Sequence, residues 1–331
     1  MIAYSAPKWL PGGHLQTIYP LFIKPGPLAY RRERWDTPDQ DFIDLDWHET
    51  AGSASYGGNG PGEDLPGVPL AILFHGLEGS SNSHYARSLM QRLHALGWGG
   101  VVVHFRGCSG EPNRQPRAYH SGDSDEIDWI LRRLKREHPG RPLYAIGVSL
   151  GGNALLKWLG EREFSATRLL SGAAAISAPI DVAACGHQLA RGFNRLYTRH
   201  FLRTLKRSAA IMLQRHPGLF DERRMRVANN LHDFDDVVTA PLHGFIDADD
   251  YWRRASSRPW LAGIRVPTLL LNARNDPFLP ERALPGADQV AAEVTLDFPY
   301  EGGHVGFVTG RPPGSLDWLP DRILRFFTEQ E

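Results

Sequence analysis

A mostly parallel, doubly wound α/β sheet carrying an inserted helical unit is the fold class this sequence predicts. Three observations predict it. Short, wholly apolar runs such as LAILF at 70–74 and LYAIGV at 143–148 alternate with amphipathic helical stretches. Runs of that kind are buried on both faces, as parallel strands between two helix layers are. Between 181 and 257 the strand pattern stops and only helical patterning continues. A chain of 331 residues can hold one large core with such an insertion.

Residues 34–35 and 42–47 read as an antiparallel pair, with Phe42, Ile43, Leu45 and Trp47 in rough alternation. The Gly-rich stretch 51–67 reads as a mobile loop or linker. Its glycines are not followed by Gly-Lys-Ser/Thr, so it is no phosphate loop. A strand is expected at 70–74, a helix at 84–96 and a strand at 100–105. The helix expected at 123–137 carries Ile127, Ile130, Leu131 and Leu134 on one face. A strand follows at 143–148, a helix at 153–159 and a strand at 170–177. After the insertion come strands at 268–271 and 294–298 and a closing helix at 316–329. The sheet domain is therefore expected to comprise 1–180 and 258–331, with a helical cap at 181–257.

The 37 basic residues balance 37 acidic ones, which argues against nucleic acid as a partner for the whole molecule. The two cysteines, Cys108 and Cys185, make neither a disulfide framework nor a zinc spacing, and point to a reducing, cytoplasmic setting. The first ten residues carry one lysine and no apolar stretch of signal-peptide length. No uncharged apolar run reaches the roughly 18 residues of a membrane helix. Nothing in the sequence calls for a metal or an organic cofactor.

The chemistry gathers around Gly147-Val148-Ser149-Leu150-Gly151. An apolar strand ends at Val148 and a helix starts soon after, so Ser149 is expected on a tight strand-to-helix turn. Gly147 and Gly151 relieve crowding there, and the helix N-terminus faces the site. A serine hydroxyl needs a base. On such a sheet an acid and a histidine follow in that order, each on a loop after a strand. Asp276 lies just past the strand at 268–271, and His304 lies in a Gly-flanked loop past the last strand. Asp181, at the end of the strand 170–177, is the rival acid. After the strand 70–74, His75-Gly76-Leu77 supplies an oxyanion loop. Gly76 lets the backbone turn so that the Leu77 N–H faces a developing oxyanion, with the Leu150 N–H as second donor. His75 is expected to hold that loop through a backbone hydrogen bond.

The chain resembles the α/β-hydrolase superfamily, and within it the YheT-like esterases, which are related to the animal abhydrolase phospholipases. The resemblance covers nearly the whole chain. It rests on HLQTIYP at 14–20, FHGLEGSS at 74–81, HFRGCSGEPN at 104–113 and YHSG at 119–122. It continues through GVSLGGN at 147–153, NDPF at 275–278 and GGHVGF at 302–307. It implies a serine hydrolase with Ser149, Asp276 and His304 as its triad, acting on carboxylic esters, acylglycerols or phospholipids. An acyltransferase on the same triad and a non-catalytic small-molecule receptor on the same fold are the alternatives.

Three further features stand apart. Cys108, in Arg106-Gly107-Cys108, reads as a structural or cleft-lining thiol. The clusters Asp233, Asp235, Asp236 and Asp247, Asp249, Asp250 lack calcium-loop spacing and read as helix caps and solvated faces. From 182 to 220 there are seven basic residues and no acidic one. Arg191, Arg195, Arg199, Arg203 and Arg207 recur every four residues, and Leu189, Phe193, Leu196, Tyr197, Phe201 and Leu205 form an apolar stripe on another face. This reads as a basic amphipathic cap helix. Its arginines are expected to be solvated or paired with the acidic segment 233–250. The alternative is transient contact with anionic lipid headgroups.

Overall fold

The structure, a computed structural model, describes residues 4–26, 28–48 and 67–329. The Gly-rich stretch 51–67 lies, but for Gly67, outside the described residues. The elements run α1 (Gly13–Ile18), β1 (Arg31–Asp36), β2 (Phe42–His48), β3 (Leu70–Phe74), α2 (His84–Ala95), β4 (Gly99–His104), α3 (Ser124–Glu137) and β5 (Leu143–Val148). They continue with α4 (Leu150–Arg162), β6 (Gly172–Ile176), α5 (Val182–Leu189), α6 (Arg195–Arg215), α7 (Glu222–Val227), α8 (Leu231–Phe234), α9 (Ala240–His243) and α10 (Ala248–Ala255). A π-helical turn, Asp235–Thr239, joins α8 to α9. The chain closes with β7 (Thr268–Leu271), β8 (Val294–Asp297) and α11 (Trp318–Thr328).

The eight strands form one sheet in the order β1-β2-β4-β3-β5-β6-β7-β8. The first two pairings, β1 with β2 and β2 with β4, are antiparallel, and the rest are parallel. Successive side chains of a strand point to opposite faces. Leu70, Ile72, Phe74, Val101 and Val103 therefore pack with Ile127, Ile130, Leu131 and Leu134 of α3 and Leu155 and Leu159 of α4. Ala71, Leu73, Val102, Ile146 and Val148 pack with Leu89, Met90 and Leu93 of α2 and Ile323 and Phe327 of α11. Full burial of each such Leu, Ile or Val is worth about 1.5–3 kcal/mol. Because β3 to β8 run parallel, their C-terminal ends share one sheet edge. The loops carrying His75, Ser149, Asp276 and His304 all leave from that edge.

The loose alternation in β2 hides a different arrangement. Asp44 and Asp46 are buried as well as their apolar neighbours. They face Arg34 and Arg32 directly across the β1–β2 register. Each arginine makes a two-pronged pair with its carboxylate, at 2.7 and 2.9 Å for Asp44 and 2.7 and 2.8 Å for Asp46. Asp46 also accepts from Ser81 at 2.6 Å and lies 2.8 Å from His104 Nε2. Burial alone raises a carboxyl, but the Arg32, His104 and Ser81 hydrogen bonds outweigh it and hold Asp46 well below the usual carboxylate range.

The strandless segment between β6 and β7 is wholly helical, with a small core of its own made by Leu202, Ala209, Met225, Phe234, Val237 and Val238. Its helices start on side-chain caps. Asp181, Asp221, Asn230 and Asp247 accept from the N–H of Ala184, Arg224, Asp233 and Asp250. Two expectations need correcting here. The basic stretch is not one helix: α5 ends at Leu189, Gly192 takes a left-handed φ of 51°, and α6 starts at Arg195, so Arg191 lies off it. Of the two fates expected for the arginines, solvation is the one seen at Arg195, Arg199, Arg203 and Arg207, which are exposed, while the acidic segment pairs elsewhere. Asp236 pairs with Arg224, Asp250 with Arg253 and Arg254, and Asp249 with His232. Asp235 is no solvated side chain. It accepts from Trp252 Nε1 at 2.8 Å and Thr239 Oγ1 at 2.6 Å, and burial pushes its carboxyl up to about 6. Among the described residues, no helix is long and apolar enough to cross a membrane.

Candidate active site

Ser149 sits between β5 and α4 with φ 52° and ψ −120°, a left-handed conformation that a side chain adopts only under strain. Its N–H donates to Ile176 O at 2.8 Å, and its carbonyl accepts from Asn153 N at 3.0 Å. The flanking glycines are required by closeness. A Cβ on Gly147 would stand 2.5 Å from Gly151 O, and one on Gly151 would stand 2.4 Å from Phe74 O. α4 begins at Leu150, three residues earlier than the sequence pattern suggests. The first turn is Leu-Gly-Gly, which has poor helix propensity, and tertiary contact with β3 holds it in place. As the first helical residue, Leu150 has no partner for its N–H one turn back.

The loops after β7 and β8 bring two side chains to this hydroxyl. His304 Nε2 lies 3.0 Å from Ser149 Oγ, and His304 Nδ1 lies 2.9 Å from Asp276 Oδ2. Asp276 is fully buried, and its other oxygen accepts from Phe278 N at 2.8 Å. The Phe278 ring stacks on the imidazole with centroids 4.1 Å apart. Val305 and Phe307, on the same loop as His304, have φ of 59° and 45°. Such strain costs on the order of 1–3 kcal/mol per residue and persists only where surroundings enforce it. Asp181, the rival acid, caps α5 through Ala184 N at 2.9 Å and lies 3.9 Å from Arg258.

The enforcing surroundings come from α1, an element that pattern reading did not assign. Gln16 is wholly buried. Its Oε1 accepts from Gly302 N at 2.8 Å and Asn275 Nδ2 at 2.9 Å, and its Nε2 donates to Leu10 O at 2.9 Å. Thr17 Oγ1 accepts from His304 N at 2.8 Å while donating to Gly13 O at 2.7 Å. One helical turn thus ties the Asp276 loop to the His304 loop. The Gln16→Met variant keeps the volume and leaves the buried Gly302 N–H and the half-buried Asn275 amide without their acceptor. We expect it to lose about 1–3 kcal/mol in urea unfolding, together with a fall in turnover. Wild-type stability and turnover in that variant would show that the tie is immaterial.

The loop after β3 lies against the elbow. A Cβ on Gly76 would stand 3.1 Å from Ser149 Cβ, so glycine is needed there for close approach. Its φ is not in the left-handed region. The positive φ falls on Glu78, at 54°. Neighbouring N–H groups are engaged: Gly76 N donates to Tyr85 OH at 3.0 Å and Glu78 N to Tyr119 OH at 2.8 Å. Tyr119 OH in turn donates to Glu78 Oε1 at 2.9 Å. The Leu77 N–H between them has no backbone or side-chain acceptor among the described residues. His75 is wholly buried, with Nδ1 2.7 Å from Gly76 O and Nε2 accepting from Phe105 N at 3.1 Å. That pairing puts the proton on Nδ1 and locks the loop after β3 to the end of β4. Burial pushes His75 down to about 3, so the folded protein binds it neutral. A depressed folded value means stability is present above the ordinary histidine value near 6.5 and is lost as pH falls below it. We expect wild-type stability in urea to fall by about 2 kcal/mol from this group between pH 6.5 and 4.5. The His75→Gln variant should lose less over that span, and parallel losses would sink the assignment.

Below α5 and α6 lies a cavity of about 290 Å³ that opens onto Ser149. Leu77 and Leu150 border it at the sheet edge, and Leu189, Leu205 and Met212 roof it. That volume is near the lower end for small-molecule sites. Cys108 and Cys185 are free thiols, and burial pushes both up, away from the reactive thiolate. Cys185 lines the cavity. Among the described residues, no group of three or more His, Cys, Asp or Glu side chains is arranged to hold a metal ion.

A hydroxyl on a strained turn, facing an imidazole whose far nitrogen meets a buried carboxylate, is an arrangement able to deprotonate serine. Residues 69–311 match the family described as alpha/beta hydrolase fold. The chain is 39% identical to the putative esterase YheT of Escherichia coli over 95% of its own length and 90% of that protein's. It is 31% identical to the phospholipase ABHD3 of Mus musculus over 98% of its length and 78% of that protein's. In structure it matches the Pyrococcus furiosus esterase Pf2001 with a TM-score of 0.55 at 15% identity, covering 91% of each chain, a likeness of fold alone. With most of its length matched by the family and YheT aligned nearly end to end, this chain belongs to the α/β-hydrolase family.

Proposed function

We propose that the protein is a serine hydrolase of carboxylic esters, working through an acyl-enzyme on Ser149. The observation that carries this reading is the continuous relay Ser149 Oγ, His304, Asp276, with spacings of 3.0 and 2.9 Å at the floor of an apolar cavity. Ser149 Oγ attacks the acyl carbonyl as His304 Nε2 takes its proton. The carbonyl electron pair moves onto oxygen, facing the N–H groups of Leu77 and Leu150. Collapse expels the alcohol, which takes the proton back from His304. Water then attacks the acyl-enzyme, giving a proton to His304, and collapse breaks the acyl–Oγ bond as His304 returns that proton to Ser149 Oγ, so that the carboxylic acid leaves and the free serine is restored. Asp276 accepts the Nδ1–H throughout and stabilises the imidazolium.

Residues 181–257 act in this reading as the cap that shapes the acyl site. The relatives named esterase and phospholipase favour acyl esters, lipid esters among them, as the substrate class. The test is a chain-length series of p-nitrophenyl esters, monoacylglycerols and phospholipids, run beside intact-mass analysis after fluorophosphonate treatment. Turnover with one adduct on Ser149 is expected. Binding without turnover would make the protein a receptor, and acyl transfer to an added alcohol in preference to water would make it a transferase. Either result overturns the reading.

A further inference from the structure

We propose that the outward face of α6 is a docking surface for an anionic lipid bilayer. Arg195, Arg199 and Arg203 are exposed and follow one another at four-residue spacing, so they share an arc of about 80° on the helix. None of the three guanidinium groups has an ion pair or hydrogen bond among the described residues. The eight acidic residues between 221 and 250 lie close in sequence, yet those that pair do so with Arg224, Arg226, Arg253, Arg254 and His232. α6 itself contains six basic residues and no acidic one.

The cations are interleaved with apolar side chains. Leu196, expected on a separate apolar face, instead stands within about 20° of Arg203 in helical projection and is 53% exposed. Phe193, 49% exposed, packs its ring on His14 with centroids 4.5 Å apart, and the next residue, Leu15, is 51% exposed. The opposite face of α6 supplies Phe201, Leu205 and Met212 to the cavity. One helix therefore roofs the cavity on its inner side and presents unpaired guanidiniums with apolar side chains on its outer side.

Guanidiniums bind phosphate oxygens in two-pronged fashion, and isolated apolar side chains gain from entering the headgroup and acyl boundary. A convex helix face with both features suits a bilayer better than a nucleic-acid strand, which would use a groove and stacking platforms. This docking goes beyond the hydrolase reading and does not depend on the triad.

The test is flotation of the full chain with vesicles of phosphatidylcholine alone or mixed with phosphatidylglycerol. Retention on the mixed vesicles only is expected, weakening as salt rises from about 0.1 M to about 1 M. The triple variant Arg195→Gln, Arg199→Gln, Arg203→Gln should partition about a hundredfold less, at about fivefold per arginine. Phe193→Ser with Leu196→Ser should also weaken retention, and both sets should leave short-ester turnover unchanged. Equal retention on both vesicle types, retention on neither, an unaffected triple variant, or tighter binding of a single-stranded RNA oligonucleotide would overturn the proposal. Loss of fluorophosphonate labelling with vesicle binding intact would instead count against the hydrolase reading alone.

Discussion

Ser149→Ala is expected to reduce kcat for ester hydrolysis by on the order of a millionfold and to abolish the fluorophosphonate adduct. The argument is local. Alanine removes the only atom within hydrogen-bond distance of His304 Nε2 on this turn, and leaves the Cβ that already stands 3.1 Å from where a Gly76 Cβ would be. The strained φ of 52° is set by packing of Gly147 and Gly151, which the substitution does not touch. Stability should thus change little, and the urea midpoint of the variant checks that it is folded. The N–H groups of Leu77 and Leu150, the oxyanion donors of the proposed mechanism, are untouched, so a residual acceleration over water is expected. Turnover above a few per cent of wild type, or an adduct on another residue, would mean that another nucleophile does the work.

The sheet was legible because its strands are covered on both faces. LAILF and LYAIGV are apolar but for the Tyr144 hydroxyl, and their placement follows from burial. Ser149, Asp276 and His304 could be picked out because each sits just past an apolar run, where a parallel sheet puts loops at one edge. What was not legible depends on partners distant in sequence. Gln16 meets Gly302 across 286 residues, and nothing in the spacing of HLQTIYP announces an acceptor for donors on the Asp276 and His304 loops. Asp44 and Asp46 break the alternation of β2. Only the register that sets Arg34 and Arg32 opposite them explains their burial. The fate of the α6 arginines had the same cause. Their charge and period were plain in sequence, but the acidic segment that offered itself as a partner is used up by caps and by its own neighbours.

The second large effect is expected at Asp276, and the structure gives it a specific cause. Both carboxylate oxygens accept: Oδ1 from Phe278 N at 2.8 Å and Oδ2 from His304 Nδ1 at 2.9 Å. Asparagine keeps the shape but has one acceptor and one donor. If its oxygen stays on the buried Phe278 N–H, its NH₂ faces His304 Nδ1. The imidazole must then carry its proton on Nε2, where it points a donor at Ser149 Oγ in place of an acceptor. If the amide is reversed, the Phe278 N–H is left facing a donor, at about 1–3 kcal/mol. That cost favours the first arrangement, in which the base is lost, so kcat should fall by about 10⁴ with KM within a few-fold of wild type. Asp181→Asn is the matched control. Asn caps a helix as well as Asp does, and Asp181 is held to Ala184 N, so its activity should stay near wild type. A larger loss in Asp181→Asn than in Asp276→Asn would hand the acid role to the other loop. Comparable small losses in both would mean that His304 needs no carboxylate to hold its tautomer.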